Sequence, residues 1–199
     1  HQAALTHTAD LLTEELKSAG FEVAQAAIPD GEEAKRIEVA SWIWGLLGKG
    51  EFGRADTIIG LGGGAATDLA GFVASTWLRG VPLILVPTTL LGIVDAAIGG
   101  KTGINTSEGK NLVGAFYAPQ AVFCDLDTLV TLPRNDLIAG FGEVVKYGFI
   151  SDPGILDLIE DDLTDATDVK SSTFTEIVSR CVQIKAKVVS SDFKEAGLR

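Results

Sequence analysis

The chain has 199 residues, of which 46% are hydrophobic and 22% charged, and its formal net charge is −11. This is a globular composition without low-complexity tracts, which excludes a disordered chain and suffices for one large domain or a domain and a half. The negative balance argues against a nucleic-acid or anionic-membrane surface, since both need clustered Lys and Arg.

Leu5 to Ala19 is predicted to be a helix, with Leu11, Leu12 and Leu16 on one face and Gly20 as its stop. Phe21 to Ile28 is a strand candidate, and Pro29-Asp30-Gly31 reads as a turn. A second helix is expected over Glu32 to Leu47. Thr57 to Leu61 reads as a short apolar strand ending in a glycine run, and Thr67 to Leu78 as a helix. Val81 to Val86 and Ala121 to Cys124 read as strands of a sheet buried on both faces. Trp42, Trp44 and Trp77 fall at helical spacing and are expected in the core. This alternation predicts an α/β fold with a mostly parallel sheet. After Leu132-Pro133 the strand signals stop, and Arg134 to Ile150, Pro153 to Glu160 and Ser172 to Val189 all carry helical patterns. The expected division is an α/β domain over residues 1–132 and the start of an all-helical domain over residues 133–199.

The sequence opens at His1 without Met and closes at Arg199, and it is read as an internal piece of a longer protein; a tag remnant and a natural terminus are the alternative. Cys124 and Cys181 stand far apart and outside any CxxC, so neither a disulfide framework nor a thiolate metal site is expected, and a reducing cytoplasm is. No run reaches the roughly 18 apolar residues of a membrane span.

Several segments carry chemistry. Gly60-Leu61-Gly62-Gly63-Gly64-Ala65-Ala66-Thr67-Asp68 follows a strand and opens a helix. Glycines there let the backbone approach a phosphate, and the helix N-terminus presents free N–H groups at the positive end of its dipole. Gly60, Gly62 and Ala65 fit G-x-G-x-x-A, but Gly80 stands where the ribose-binding acid, about 20 positions on, belongs. The run therefore reads as a phosphate or pyrophosphate cradle of another topology, with a ligand-free tight turn as the alternative. Pro87-Thr88-Thr89 offers two hydroxyls at a strand's carboxyl end, though alone it reads as a capped turn.

The cations gather between Asp95 and Asn111, in a glycine-rich loop holding Lys101, Asn105 and Lys110. Two glycine-flanked lysines with an Asp and an Asn suit a polyanionic small molecule; a solvated surface loop is the alternative. It is not a Walker A loop, because Asp95 stands where the first Gly belongs. Glu143 and Lys146 share a helix face. Glu143 is either a buried metal ligand or half of a surface ion pair, and by itself the ion pair is the simpler reading. Arg180, Lys185 and Lys187 taken alone read as the solvated face of an amphipathic helix. His1 and His7 are expected to be inert, so no histidine triad is available.

In order and spacing, these segments resemble the 3-dehydroquinate synthase family. The match runs from Pro29-Asp30-Gly31-Glu32-Glu33-Ala34-Lys35 through Leu61-Gly62-Gly63-Gly64-Ala65-Ala66-Thr67-Asp68, Thr76-Trp77-Leu78-Arg79-Gly80, Val86-Pro87-Thr88-Thr89, Val94-Asp95, Gly99-Gly100-Lys101-Thr102-Gly103-Ile104-Asn105, Gly109-Lys110-Asn111-Leu112-Val113-Gly114 and Thr131-Leu132-Pro133 to Glu143-Val144-Val145-Lys146-Tyr147-Gly148. It resumes at Ile184-Lys185-Ala186-Lys187-Val188-Val189 and at Gly197-Leu198-Arg199. Each motif alone is modest, but the series is specific.

The resemblance implies a Rossmann-like N-terminal domain, a helical C-terminal domain and an active site in the cleft between them. It implies NAD contacts from Asp30, Gly31, Glu32, Glu33, Ala34 and Lys35, from Gly64, Ala65, Ala66, Thr67 and Asp68, from Thr88 and Thr89, from Lys101 and Lys110, and from Thr128, Leu129, Val130 and Thr131. It implies that Arg79, Asp95, Lys101, Lys110, Asn111, Lys146, Lys185 and Arg199 face the substrate, which reverses the bland reading of Lys185. It implies that Glu143 is one ligand of a zinc (or cobalt) ion, beside two histidines from later in the family's sequence. Neither His1 nor His7 stands in a matching context, so a piece ending at Arg199 is not expected to complete a metal site or to be active alone.

The implied activity is that of a carbon–oxygen lyase of the shikimate pathway. It is the NAD- and metal-dependent cyclisation of 3-deoxy-D-arabino-heptulosonate 7-phosphate to 3-dehydroquinate with loss of phosphate. The implied setting is a cytoplasmic homodimer with a small sugar-phosphate substrate and no nucleic-acid or membrane partner. Other sugar-phosphate cyclases and metal-dependent polyol dehydrogenases of the same superfamily are rival readings, and a non-catalytic NAD-binding or assembly fragment is a third.

Overall fold

A computed structural model describes residues 1–197. Helix α1 (Thr6–Ser18) ends at Gly20, whose φ of +93° lies in the left-handed region that an achiral residue enters at little cost. The expected strand over Phe21 to Ile28 does not form: among the described residues only Ile28 makes a strand bridge, to Gln2. An apolar run becomes a strand only where a neighbour offers a ladder. Here the exchange is confined to Ala26 and Ile28: the His1 ammonium donates to the Ala26 carbonyl, and Ile28 donates to the His1 carbonyl and accepts from the Ala3 N–H.

The helix expected over Glu32 to Leu47 is broken. A 3-10 turn at Gly31–Lys35 precedes an extended Arg36, and α2 (Ile37–Lys49) starts only then. The break buries Ala34 and turns Lys35 inward, leaving Lys35 2% exposed. Trp44 and Trp77 pack against the cluster around Phe72, whereas Trp42 is exposed, contrary to its expected core position.

Strand β1 (Ile58–Gly62), helix α3 (Gly64–Thr76) and strand β2 (Leu83–Pro87) make one β-α-β unit. The strands are parallel, from Ile58 against Leu83 to Gly62 against Pro87. Helix α4 (Leu90–Val94) follows β2 directly.

Lys101 to Phe116 is not a loop. Strand β3 (Lys101–Thr106) and strand β4 (Gly109–Phe116) form an antiparallel hairpin with an irregularity between Ile104 and Thr106. The glycines that suggested a loop serve close strand approach. Gly103 pairs with Gly114, and a Cβ on Gly114 would lie 2.0 Å from the Thr102 carbonyl oxygen. The hairpin lies on α3, where Thr102 Cγ2 occupies the space a Cβ on Gly71 would need.

Strand β5 (Ala121–Val122) joins β2 in parallel, so the sheet order is β1-β2-β5. A 3-10 turn (Leu126–Thr131) leads into α5 (Arg134–Ile150), α6 (Gly154–Asp161), α7 (Leu163–Ala166) and α8 (Ser172–Ser191). Ser171 caps α8 by accepting from the Phe174 N–H at 2.8 Å. These helices share one apolar cluster, including Phe141, Val144, Tyr147, Phe174, Ile177 and Cys181, with Leu90, Ile93 and Val94 of α4. Gly140 permits that contact, because a Cβ there would meet Leu90 Cβ at 2.7 Å. The Rossmann-like sheet and the helices are thus welded through α4. Among the described residues no helix is long and apolar enough to cross a membrane.

Candidate active site

Ligands of open parallel sheets sit beyond the strands' carboxyl ends, and three expected segments converge there. Gly62 ends β1 and Gly63 follows it, Thr88 and Thr89 follow β2, and the turn holding Thr128 to Thr131 follows β5. The Thr88 N–H donates to the Gly62 carbonyl at 3.0 Å, locking the first two together. Gly62 has φ +152°, and a Cβ there would lie 2.6 Å from Ala66 Cβ, so only glycine serves. Gly63 caps α3 without a side chain. Its N–H donates to Gln2 Oε1 at 2.7 Å, a contact no sequence motif signals.

The Lys35 ammonium donates to Asp68 at 2.5 Å and also to Asn111 Oδ1. It therefore ties the first turn of α3 to the hairpin. Burial raises the Asp68 carboxyl above its ordinary range, and the Lys35 charge pulls against that shift. Glu32 clamps the hairpin beside it, accepting from Asn105 Nδ2 at 2.7 Å and pairing with Lys110 at 3.7 Å. The Asn105 hydrogen bond, with the charges of Lys35 and Lys110, holds the Glu32 carboxyl below its usual range against partial burial. Asn111 stands at φ +58°, and its N–H donates to Asn105 Oδ1 at 3.0 Å.

Above this layer opens a cleft of ≈ 420 Å³ lined by Asp68, Asp95, Lys101, Asn111 and Lys185, among others. Lys185, from α8, donates to Asp95 at 2.5 Å and is 9% exposed. Lys101 opens β3 and pairs with Glu195 at 2.9 Å. On α5, Glu143 pairs with Lys146, whose ammonium stands 5.4 Å from the centre of the Tyr147 ring. The Tyr147 hydroxyl donates to the Val94 carbonyl at 3.0 Å. Burial, aided by the negative charges of Asp95 and Glu143, pushes that phenol far above its usual range. Burial likewise pushes the Cys181 thiol up to about 12, so it is an inert core group.

A family model described as 3-dehydroquinate synthase N-terminal matches residues 25–139, and one described as 3-dehydroquinate synthase C-terminal matches residues 140–199. The chain belongs to the 3-dehydroquinate synthase family. The 3-dehydroquinate synthase of Pseudarthrobacter chlorophenolicus is 60% identical over 199 residues, covering 100% of this chain and 55% of its own length. That of Leifsonia xyli is 64% identical over 179 residues, covering 90% of this chain and 50% of its own length. The chain spans about half the length of the curated relatives it matches. Among solved structures, 2-epi-5-epi-valiolone synthase from Streptomyces hygroscopicus with NAD+ and Zn2+ bound has a TM-score of 0.93 at 27% identity, covering 100% of this chain and 56% of that one. A 2-deoxy-scyllo-inosose synthase complexed with carbaglucose-6-phosphate, NAD+ and Co2+ has a TM-score of 0.86 at 30% identity, covering 98% of this chain and 54% of that one.

Of the residues expected to face a substrate in a 3-dehydroquinate synthase, Asp95, Lys101, Asn111 and Lys185 share the cleft. Arg79 does not join them. It is exposed beyond the C-terminal end of α3, whereas the glycine turn is at the other end, about 20 Å away for 13 residues rising ~1.5 Å each. Lys110 points outward with its side chain 70% exposed. Neighbouring strand residues face opposite sides, and Asn111 has taken the inward one. Lys146 is half-exposed beside Glu143 and outside the cleft lining. Arg199 lies outside the described residues.

Among the cofactor expectations, Ala34, Ala66, Thr67 and Leu129 are buried in packing, so only their backbone atoms could reach a ligand. Thr67 spends its hydroxyl on the Gly64 carbonyl, and Thr89 caps α4 by accepting from the Gly92 N–H. Asp30 accepts from the Ala4 N–H, and Glu33 pairs with Arg36 on the surface. Among the described residues no three His, Cys, Asp or Glu side chains cluster as a metal site. Glu143, largely shielded beside Tyr147, fits one ligand position; three protein ligands are needed.

Proposed function

We propose that this chain supplies the NAD cradle and one wall of the catalytic cleft of a 3-dehydroquinate synthase acting on 3-deoxy-D-arabino-heptulosonate 7-phosphate. The carrying observation is the cleft itself: Lys101 from the hairpin and Lys185 from α8 line it together with Asp68, Asp95 and Asn111. A cleft that gathers two lysines in a chain of net charge −11 suits a small substrate bearing both carboxylate and phosphate. The names of the relatives and the NAD+ and metal ions in the related cyclases support the same reading.

In this reading residues 1–132 form the nucleotide domain and residues 133–199 part of the helical one. Gly64 to Asp68, Thr88 and Thr89, Thr128 to Thr131 and the turn from Asp30 to Lys35 contact NAD. Lys101 and Lys185 neutralise the substrate's anionic groups and select one orientation of it. Asp95 accepts from a substrate hydroxyl, and Asn111 bonds a hydroxyl or phosphate oxygen. Glu143 supplies one of the metal's ligands, and the others come from outside the described residues. NAD, when bound, supplies a hydride acceptor, and zinc or cobalt a Lewis acid. Lys110, Lys146, Arg79 and Arg199 stay expectations of the family pattern. Both cysteines are free thiols, which supports a cytoplasmic protein, and we propose a homodimer.

The full-length protein given NAD, zinc and the heptulosonate phosphate should release phosphate and 3-dehydroquinate in equal amounts without NADH accumulating. Steady NADH accumulation or no phosphate release would overturn the reading. In the same protein, Lys101→Ala should lower kcat/KM for the sugar phosphate by about 10² while leaving the Kd for NAD within twofold. Equal losses would make Lys101 a cofactor residue instead.

A further inference from the structure

Tyr147 is buried in the cluster where α4 meets α5 and α8, and its hydroxyl reaches the last residue of α4. Helix α4 has only five residues, so its last carbonyls lack helical partners. Val94 is fully buried, and a buried carbonyl must find a donor. The Tyr147 hydroxyl is that donor, at 3.0 Å. The next residue, Asp95, has φ −132° and ψ −73°, neither helical nor extended, so its neighbours must hold it. Its side chain meets Lys185 at 2.5 Å.

Glu143 lies one turn before Tyr147 on α5, at the i,i+4 spacing that places two side chains on one face. Its negative charge, with that of Asp95, adds to the burial that pushes the same phenol up. The phenol gives its proton to the Val94 carbonyl, so the side chain ties α5, which carries Glu143, to the end of α4, where Asp95 follows. Lys146 closes the group, paired with Glu143 and standing beside the Tyr147 ring.

We infer that Tyr147 is a positioning residue whose phenol pins the Val94–Asp95 peptide against α5 and so sets Asp95 and Glu143 relative to one another. The inference rests on the cyclase reading above, in which Asp95 meets substrate and Glu143 helps hold the metal. Partners that orient a ligating carboxylate without touching the metal are worth about 10- to 100-fold in metal affinity or activity. Tyr147 touches neither substrate nor cofactor in this scheme; it acts through the two acids it spaces.

The test uses the full-length protein, wild type and Tyr147→Phe, loaded with cobalt. Expected for the variant are an apparent cobalt affinity weaker by about tenfold, a shifted visible cobalt band, a similar loss in kcat/KM for the sugar phosphate, and a Kd for NAD within twofold. A variant with 4-fluorophenylalanine at position 147 fills the hydroxyl's space without a proton to donate. It should reproduce these changes even if the Phe variant folds poorly. Ile177→Val, a change elsewhere in the same cluster, serves as the control for lost packing. Cobalt affinity and spectrum unchanged in Tyr147→Phe would overturn the inference, as would an equal cobalt loss in Ile177→Val. Wild-type protein that neither binds cobalt nor releases phosphate would overturn instead the reading on which it rests.

Discussion

Lys35→Met should destabilise the full-length protein by about 3–5 kcal/mol, the usual consequence of removing one partner from a buried ion pair. The Lys35 side chain is 3% exposed and that of Asp68 22%, so water replaces the lost ammonium only in part. Methionine keeps the length of the stem and isolates the charge. Two acceptors, on Asp68 and Asn111, lose their donor together. The double variant Lys35→Met with Asp68→Asn should recover more than half the loss, because it removes the stranded carboxylate; a simple sum of two losses would show that the pair is not the cause. The pH dependence has a definite sign. Burial already raises the Asp68 pKa in the folded protein, and without Lys35 it rises further. A carboxyl whose folded pKa lies above its unfolded value favours folding at low pH and loses that contribution as pH rises through the folded pKa. The deficit of Lys35→Met should therefore be full at neutral pH and shrink as pH falls through the raised range toward that of an ordinary carboxyl. Urea midpoints measured along that pH series check it, and a deficit that stays flat would refute the assignment.

Lys185→Met should lower kcat/KM for the heptulosonate phosphate by about 10²–10³, the effect of removing one preorganised donor from a charge-stabilising site. The position justifies the size. The lysine is shielded on α8, held against Asp95, and lines the cleft. Its fold penalty should be small by comparison, since the Asp95 side chain it leaves behind is 35% exposed and still solvated. The Kd for NAD should stay within twofold, because Lys185 pairs with Asp95 while Lys35 pairs with Asp68 on α3. Steady-state kinetics with calorimetric NAD binding decides it. A loss under tenfold, or an equal loss in NAD affinity, would remove Lys185 from the substrate wall.

These two lysines show how unevenly the site could be read in advance. Lys185 in isolation has the pattern of a solvated helix face, and only the family resemblance placed it in the site. Its neighbour, Asp95, is 90 residues away in the chain. Lys35 sits in a Gly-Glu-Glu-Ala-Lys stretch that reads as the start of a surface helix, and nothing local signals that Arg36 breaks the helix and buries it. The glycine turn was legible because three consecutive glycines between an apolar strand and a helix have few purely structural uses. The hairpin was misread for the same reason. Glycines at 103 and 114 look like loop residues until the two strands are seen to touch there. Gln2 and Tyr147 belong to no chemical motif, and their hydrogen bonds, to Gly63 and Val94, span 61 and 53 residues.

The sequence by itself determined what is periodic or contiguous: the alternation of strand and helix up to Pro133, the helices beyond it, the glycine cradle, and the motif series that marks the family. Those features depend on residues a few positions apart, where backbone preference and burial pattern act directly. Tertiary structure alone decided which charges meet. It joined Lys35 to Asp68 and Asn111, set Lys185 on Asp95, and turned Arg79 and Lys110 away. A charged side chain takes its function from the burial and partners that folding supplies, and no local pattern encodes them.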